Sequence, residues 1–194
     1  MPDTPEFVRR KAIGTRAEII LCDLLTHAGA LVTLNQVNRD AVNAAPGAAV
    51  AHHADGPQHL PDLSCLWPDR HTVKRMHFET KAKSPLDRGG FGWDTHAFQR
   101  ACAWAELTTD PVFYAVRDLS AAPMPAPGQL DSPEHWWIAS TWKLLTAPTK
   151  SESGRFLFWS LEDFTPLDAL LQDLYGAALV PVIWTRDGGP PIIL

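Results

Sequence analysis

The stretch Thr72–Lys83 (TVKRMHFETKAK) constrains this chain more than any other. Twelve residues rich in β-branched and aromatic side chains, with turn-forming residues on both sides, read as one long strand. Side chains alternate faces along a strand, so Met76, Phe78, Thr80 and Ala82 lie on one side, suited to a packed core. Glu79 and Lys81 lie together on the other. A strand of this length needs neighbours, and the flanking sequence supplies them. Leu60–Trp67 (LPDLSCLW) reads as a strand joined to it through a turn at Pro68-Asp69. Ala30–Val37 (ALVTLNQV) reads as another.

Helical periodicity brackets these strands. Ile13, Ala17, Ile20, Leu21, Leu24 and Ala28 recur at helical spacing, predicting a helix over about Lys11–Ala28 that stops at Gly29. A second helix is expected over Thr95–Leu107, followed by a buried-type strand, Val112–Val116. Asp40–His59 reads as a long loop, and Ser84–Asp94, with Gly89, Gly90 and Gly92, as a mobile surface loop. Beyond a proline-rich connection over Ser120–Pro133, His135–Thr141 and Arg155–Ser160 read as a strand pair. Leu167–Tyr175 reads as a last helix and Leu179–Trp184 as a last strand.

The element order describes an α/β or α+β domain around a mixed central sheet flanked by helices. A chain of 194 residues fits one domain over 1–194, with a core of about 11–118 and a C-terminal elaboration of about 134–194. The net charge of −5 argues against a polybasic protein that coats nucleic acid, though a local positive site is compatible with it. Cys22, Cys65 and Cys102 are too few and too dispersed for paired zinc or redox chemistry and read as reduced thiols. The polar start MPDTPEFVRRKAIG and the lack of a long apolar run lead us to expect a cytoplasmic protein with no membrane partner.

The chemistry concentrates at one end of the predicted hairpin. Asp62 opens the strand before the turn, so the hairpin returns it beside Glu79 and Lys81. Two carboxylates in contact repel unless a cation lies between them, and oxygen donors of this kind suit Mg²⁺ or Mn²⁺ as cofactor. A bound metal polarises a phosphoryl oxygen and activates water. Lys81, kept charged by its acidic neighbours, would offset negative charge growing on phosphorus. The bland alternative is a surface hairpin with a cross-strand ion pair, and Pro-Asp alone says little, since it occurs three times in the chain.

With Asp62, Glu79 and Lys81 in this order, the sequence resembles the PD-(D/E)xK nuclease superfamily, the restriction-endonuclease-like fold, over a little more than half its length. The resemblance implies a core of helix, three-strand meander, helix and strand, and a metal-dependent endonuclease acting on DNA in repair, recombination or defence. It implies Asp62 and Glu79 as metal ligands and Lys81 as the catalytic cation. Many members carry an acidic residue on the first helix, and Glu18 in GTRAEIILCDLL is similar. The run from Gly14 to Glu18 and the Gln99 helix resemble archaeal Holliday-junction resolvases and VRR-type members. Gln99 lacks the following tyrosine of RecB-type nucleases, which sets that branch aside.

Around this constellation, Arg9, Arg10, Lys11, Arg16, Lys83 and Arg88 are candidate phosphate contacts, and Trp93 in the glycine-rich loop is the candidate for stacking on a base. His52, His53 and His59 form a competing metal cluster without paired ligand spacing. Eight tryptophans are a large aromatic load, and most are expected in the core. DNA is the expected partner, with RNA left open. A two-fold dimer would supply one site per strand for duplex cutting. The alternative function is a catalytically silent nucleic-acid-binding or interaction module on the same fold.

Overall fold

The computed structural model describes residues 4–35, 50–53, 56–68, 73–86, 89–147, 155–175, 182–183 and 192–193. The first helix, α1, spans Pro5–His27, six residues longer at its start than the apolar periodicity predicts. Its start is set by polar chemistry instead. The Thr4 hydroxyl accepts from the Phe7 N–H, Pro5 occupies the first turn and Glu6 complements the positive end of the helix. Ala17, Ile20, Leu21, Leu24 and Leu25 form its buried stripe.

A six-stranded sheet lies beneath. In chain order the described strands are β1 (Leu31–Leu34), β2 (Val50–His53), β3 (Gly56–His59), β4 (Leu63–Pro68), β5 (Val73–Lys83), β6 (Phe91–Asp94), β7 (Val112–Asp118), β8 (Trp136–Ser140), β9 (Phe156–Trp159), β10 (Thr165–Pro166), β11 (Val182–Ile183) and β12 (Ile192–Ile193). The large sheet runs β1-β4-β5-β7-β8-β10. The strands β1, β4 and β5 form an antiparallel meander, and β7 joins β5 in parallel. A parallel pair requires a crossover, and β6 with helix α2 (Thr95–Thr108) occupies it. The Asp94 carboxylate caps α2 by accepting from the N–H groups of His96 and Ala97.

Two cores sandwich the sheet. On one face the α1 stripe packs with Leu63, Cys65, Met76, Phe78, Ala115 and Ile138. On the other, Phe98, Ala101, Trp104 and Ala105 of α2 pack with Tyr114 and Val116. β7 and β8 alternate between the two cores, while β5 turns Met76, Phe78 and Ala82 to the α1 side, as the Thr72–Lys83 pattern predicts. The proline-rich connection is held by Arg117, fully buried, whose guanidinium donates to the Asp131 carboxylate at 2.6 and 3.3 Å and to the Pro123 carbonyl. Helices α3 (Thr141–Thr146) and α4 (Leu167–Tyr175) complete the described elements, α4 spanning the residues expected. The three cysteines are free, and no described helix is long and apolar enough to cross a membrane.

Three expectations need correction. Asp40–His59 is not loop throughout, because β2 and β3 pair as a hairpin within it; residues 40–49 lie outside the described residues. Ser84–Asp94 is not a loose surface loop. Its second half is β6, buried against β9, and Gly90 and Gly92 serve close packing. A Cβ on Gly90 (φ +104°) would stand 2.0 Å from the Trp159 carbonyl oxygen. Finally, the expected strand pair of the C-terminal third does not pair with itself. β8 extends the main sheet beside β7, whereas β9 pairs with β6.

Candidate active site

The β4–β5 register places Leu63 opposite Phe78. Asp62, one residue earlier, therefore comes opposite Glu79 at the open end of the hairpin. Leu63 and Phe78 enter the α1 core, so Asp62, Glu79 and Lys81 belong to the opposite face, where β7 contributes Tyr114 and Val116.

The three side chains meet. Lys81 Nζ donates to Glu79 Oε1 at 3.1 Å, to Asp62 Oδ2 at 3.4 Å and to the Thr80 carbonyl at 2.9 Å. One cation thus sits among three oxygens, two of them carboxylate. Asp62 Oδ2 also accepts the Thr80 N–H at 2.9 Å, which fixes the carboxylate against β5. Its side chain is 1% exposed, against 16% for Glu79 and 30% for Lys81, so the site opens to solvent on the lysine side. Beneath it, Tyr114 lies opposite Glu79 on β7 and stacks on Trp93 with ring centroids 4.1 Å apart. Burial, with Glu79 adding, drives the Tyr114 phenol strongly upward, and its hydroxyl donates to the Gly92 carbonyl. Tyr114 is therefore a neutral floor to the site.

The next pair along the same face is Ser64 and His77. Asn35, just past β1, donates through Nδ2 to the Pro61 carbonyl at 2.9 Å and to Ser64 Oγ at 3.0 Å. Ser64 Oγ lies 3.0 Å from His77 Nδ1, and His77 Nε2 lies 3.5 Å from Asp110 Oδ2. The Ser64 hydroxyl, accepting from Asn35 Nδ2, thus links the end of β1 to His77 on β5, whose other ring nitrogen faces Asp110. Burial lowers the His77 pKa, with Asp110 opposing and Arg75 assisting. The imidazole is accordingly neutral. This polar chain escapes sequence reasoning, although one signal pointed to it: Ser64 and His77 sit two residues from Asp62 and Glu79, on the same face.

The other sequence candidates divide. Glu18 lies on α1, 3% exposed, on the helix that packs against the Met76–Phe78 side. Arg9, Arg10 and Lys11 are exposed on the first turns of α1, Arg10 pairing with Glu6, while Arg16 is half-buried. Gln99 is exposed on α2. Two candidates need correction. Trp93, expected to stack on a base, is 0% exposed and spends its faces on Tyr114 and Phe98, because β9 covers β6. Lys83, expected at a phosphate, turns inward to donate to the Gly92 carbonyl and lies over the Tyr114 ring. Burial, helped by the charge on Lys81 and opposed by Asp94, lowers its pKa to about 8. Arg88 lies outside the described residues, as do the side chains of His52, His53 and His59. Among the described residues no three His, Cys, Asp or Glu side chains group as a ready metal site.

The architecture is that of a mixed α/β domain, a mixed central sheet flanked by helices on both faces. Among solved structures the chain is similar to Hjc, a Holliday junction resolvase from the archaeal hyperthermophile Archaeoglobus fulgidus. The match has 12% identity and a TM-score of 0.47, and it covers 81% of this chain and 99% of that one. No family model and no curated protein matches the chain.

Proposed function

We propose that the chain is a metal-dependent endonuclease of restriction-endonuclease-like fold, hydrolysing phosphodiester bonds in DNA. The observation that carries this reading is the convergence of Asp62, Glu79 and the Thr80 carbonyl on a single cation, the Lys81 ammonium. The order of α1, the β1–β4–β5 meander, α2 and β7 is the one that the resemblance of the sequence implies.

The donor set suits Mg²⁺ or Mn²⁺. Hard divalent ions of this kind take one or two carboxylates and complete their shell with water, carbonyl and phosphate oxygens. Two carboxylates and a carbonyl already surround a positive charge here, so the short ligand count among His, Cys, Asp and Glu is no obstacle. Asp62, Glu79 and the Thr80 carbonyl would hold the ion, which when bound supplies Lewis acidity and an activated water. The protein's own contribution is orientation and charge. The Thr80 N–H aims the Asp62 carboxylate, and Glu79 faces it across the hairpin. Lys81, the most exposed of the three, offsets charge that grows on phosphorus as the bond to the leaving oxygen lengthens. The neutral Tyr114 floor adds no charge beneath them. Glu18, Gln99 and the exposed Arg9, Arg10 and Lys11 belong to this proposal as, respectively, a further acid and DNA contacts; a two-fold dimer would allow both strands to be cut.

One observation favours the silent-module alternative. The Lys81 ammonium bridges the two carboxylates, 3.1 Å from Glu79 Oε1 and 3.4 Å from Asp62 Oδ2, as a structural ion pair would. Calorimetry with Mn²⁺ separates the readings. Wild type should bind the ion, and Asp62→Asn and Glu79→Gln, still folded, should not. Absence of binding by the wild type, or undiminished binding by both variants, would remove the metal site from this hairpin.

A further inference from the structure

Asp62 sits in no regular strand, yet its carboxylate must keep one direction to face Glu79. Two peptide planes meet at its Cα, and their orientation determines where Cβ points. Both planes are held by one residue. The Asn35 N–H donates to the Asp62 carbonyl at 2.9 Å, and Asn35 Nδ2 donates to the Pro61 carbonyl at 2.9 Å. The second Nδ2 proton goes to Ser64 Oγ, which is linked in turn to His77 on β5, the strand that carries Glu79. An amide side chain is suited to this task. It offers two protons from one nitrogen, where a carboxylate offers none and a hydroxyl one.

We propose that Asn35 is a positioning residue for Asp62. Its main chain and side chain together clamp the Pro61–Asp62 turn, so that the carboxylate reaches the Thr80 N–H and the oxygen set around Lys81. The proposal deepens the nuclease reading and rests on it for its consequence in metal binding, but not for the clamp itself. Substitution leaves the main-chain bond to the Asp62 carbonyl in place, so a variant at position 35 tests the side-chain half alone. The isosteric Asn35→Asp keeps the shape, loses both donors and sets a carboxylate against the Pro61 carbonyl. Ser64→Ala removes one acceptor and keeps the Pro61 bond.

Two measurements on the full chain decide the matter. The first is the Thr80 amide proton in ¹⁵N–¹H spectra, whose hydrogen bond to Asp62 Oδ2 reports where the carboxylate lies without any metal. Asp62→Ala calibrates the displacement. Asn35→Ala and Asn35→Asp should shift this resonance in the same direction, whereas Ser64→Ala should leave it in place. The second is Mn²⁺ affinity, which should weaken about 10–100-fold in both Asn35 variants, the scale expected when a partner that orients a ligand is lost, and hold in Ser64→Ala. An unmoved Thr80 resonance in folded Asn35 variants overturns the clamp, whatever the metal does. A wild type that binds no Mn²⁺ overturns the nuclease reading, while the Thr80 resonance still decides the clamp.

Discussion

Replacing Asp131 by Asn should destabilise this protein far more than loss of a surface ion pair would. Arg117 is 0% exposed, and the Asp131 side chain is 4% exposed. The carboxylate accepts from Arg117 Nε at 2.6 Å, Arg117 Nη2 at 3.3 Å and Trp136 Nε1 at 3.0 Å, and lies 2.9 Å from His135 Nδ1. Asparagine keeps one acceptor but removes the charge, and the guanidinium does not deprotonate to compensate. Breaking a buried pair from one side costs about 3–5 kcal/mol. For a chain of this size that is a drop in Tm of about 6–20 °C. Asp131→Asn belongs near the lower end and Asp131→Ala near the upper. The joint replacement Arg117→Met with Asp131→Leu should recover part of the loss, since no charge is then stranded, though the buried Trp136 Nε1–H loses its acceptor. The pH dependence has a definite sign. Burial alone would raise the Asp131 carboxyl, but hydrogen bonds from Arg117, His135 and Trp136 and the guanidinium charge hold it below its ordinary 3.8. Its stabilisation is therefore complete above the unfolded value and is lost as pH falls through the folded one. Urea unfolding at pH 7 and along an acid series is the assay. A loss under about 1 kcal/mol at pH 7, the range of exposed pairs, would refute the reasoning.

Gly90→Ala should cost about 1–3 kcal/mol, because φ is +104° and the new methyl meets the Trp159 carbonyl; thermal unfolding checks it, and a neutral result would show that the β6–β9 contact yields easily. Lys83 has a folded pKa of about 8 against an ordinary 10.5, so between those values the unfolded chain binds more protons and stability rises with pH. Lys83→Met should flatten that rise in urea titrations. Joint charge reversal of Arg9, Arg10 and Lys11 should weaken DNA binding and lower the salt slope by about 3 if all three contact phosphates; an unchanged slope would mark them as solvated surface.

The parts of the fold that repeat locally are legible in the sequence. Alternation along β5 places Met76 and Phe78 in the α1 core and Glu79 with Lys81 on the other face, and β4 pairs antiparallel with β5 as the expected hairpin does. The pairing of Asp62 with Glu79 follows from those two facts. What escapes is set by distant partners. Glycines at 89, 90 and 92 suggest mobility when read alone, yet Trp159 closes over Gly90 and Phe158 over Gly92 from β9. The same strand buries Trp93. Lys83 looks like a phosphate contact by charge alone, but the β6 carbonyl of Gly92 receives it. Asn35 reads only as one polar residue within the Ala30–Val37 strand, because its partners at Pro61 and Ser64 lie far along the chain.

The central claim is that Lys81, between Asp62 and Glu79, serves phosphodiester hydrolysis supported by a divalent ion. Single-turnover cleavage of duplex, branched and single-stranded DNA and of RNA, in Mg²⁺, Mn²⁺ or chelator, tests it most directly. Wild type should cut in either metal and not in chelator. Lys81→Ala should bind DNA with nearly unchanged affinity but cleave about 10²–10³-fold more slowly, the scale of losing one preorganised charge donor. The deficit should lie in the cleavage rate, since the interaction strengthens only as charge develops. Lys81→Arg should recover little, because a planar fork does not replace a compact ammonium. Cleavage by Lys81→Ala at the wild-type rate, or no cleavage of any of these substrates by wild type with either metal, would contradict the account.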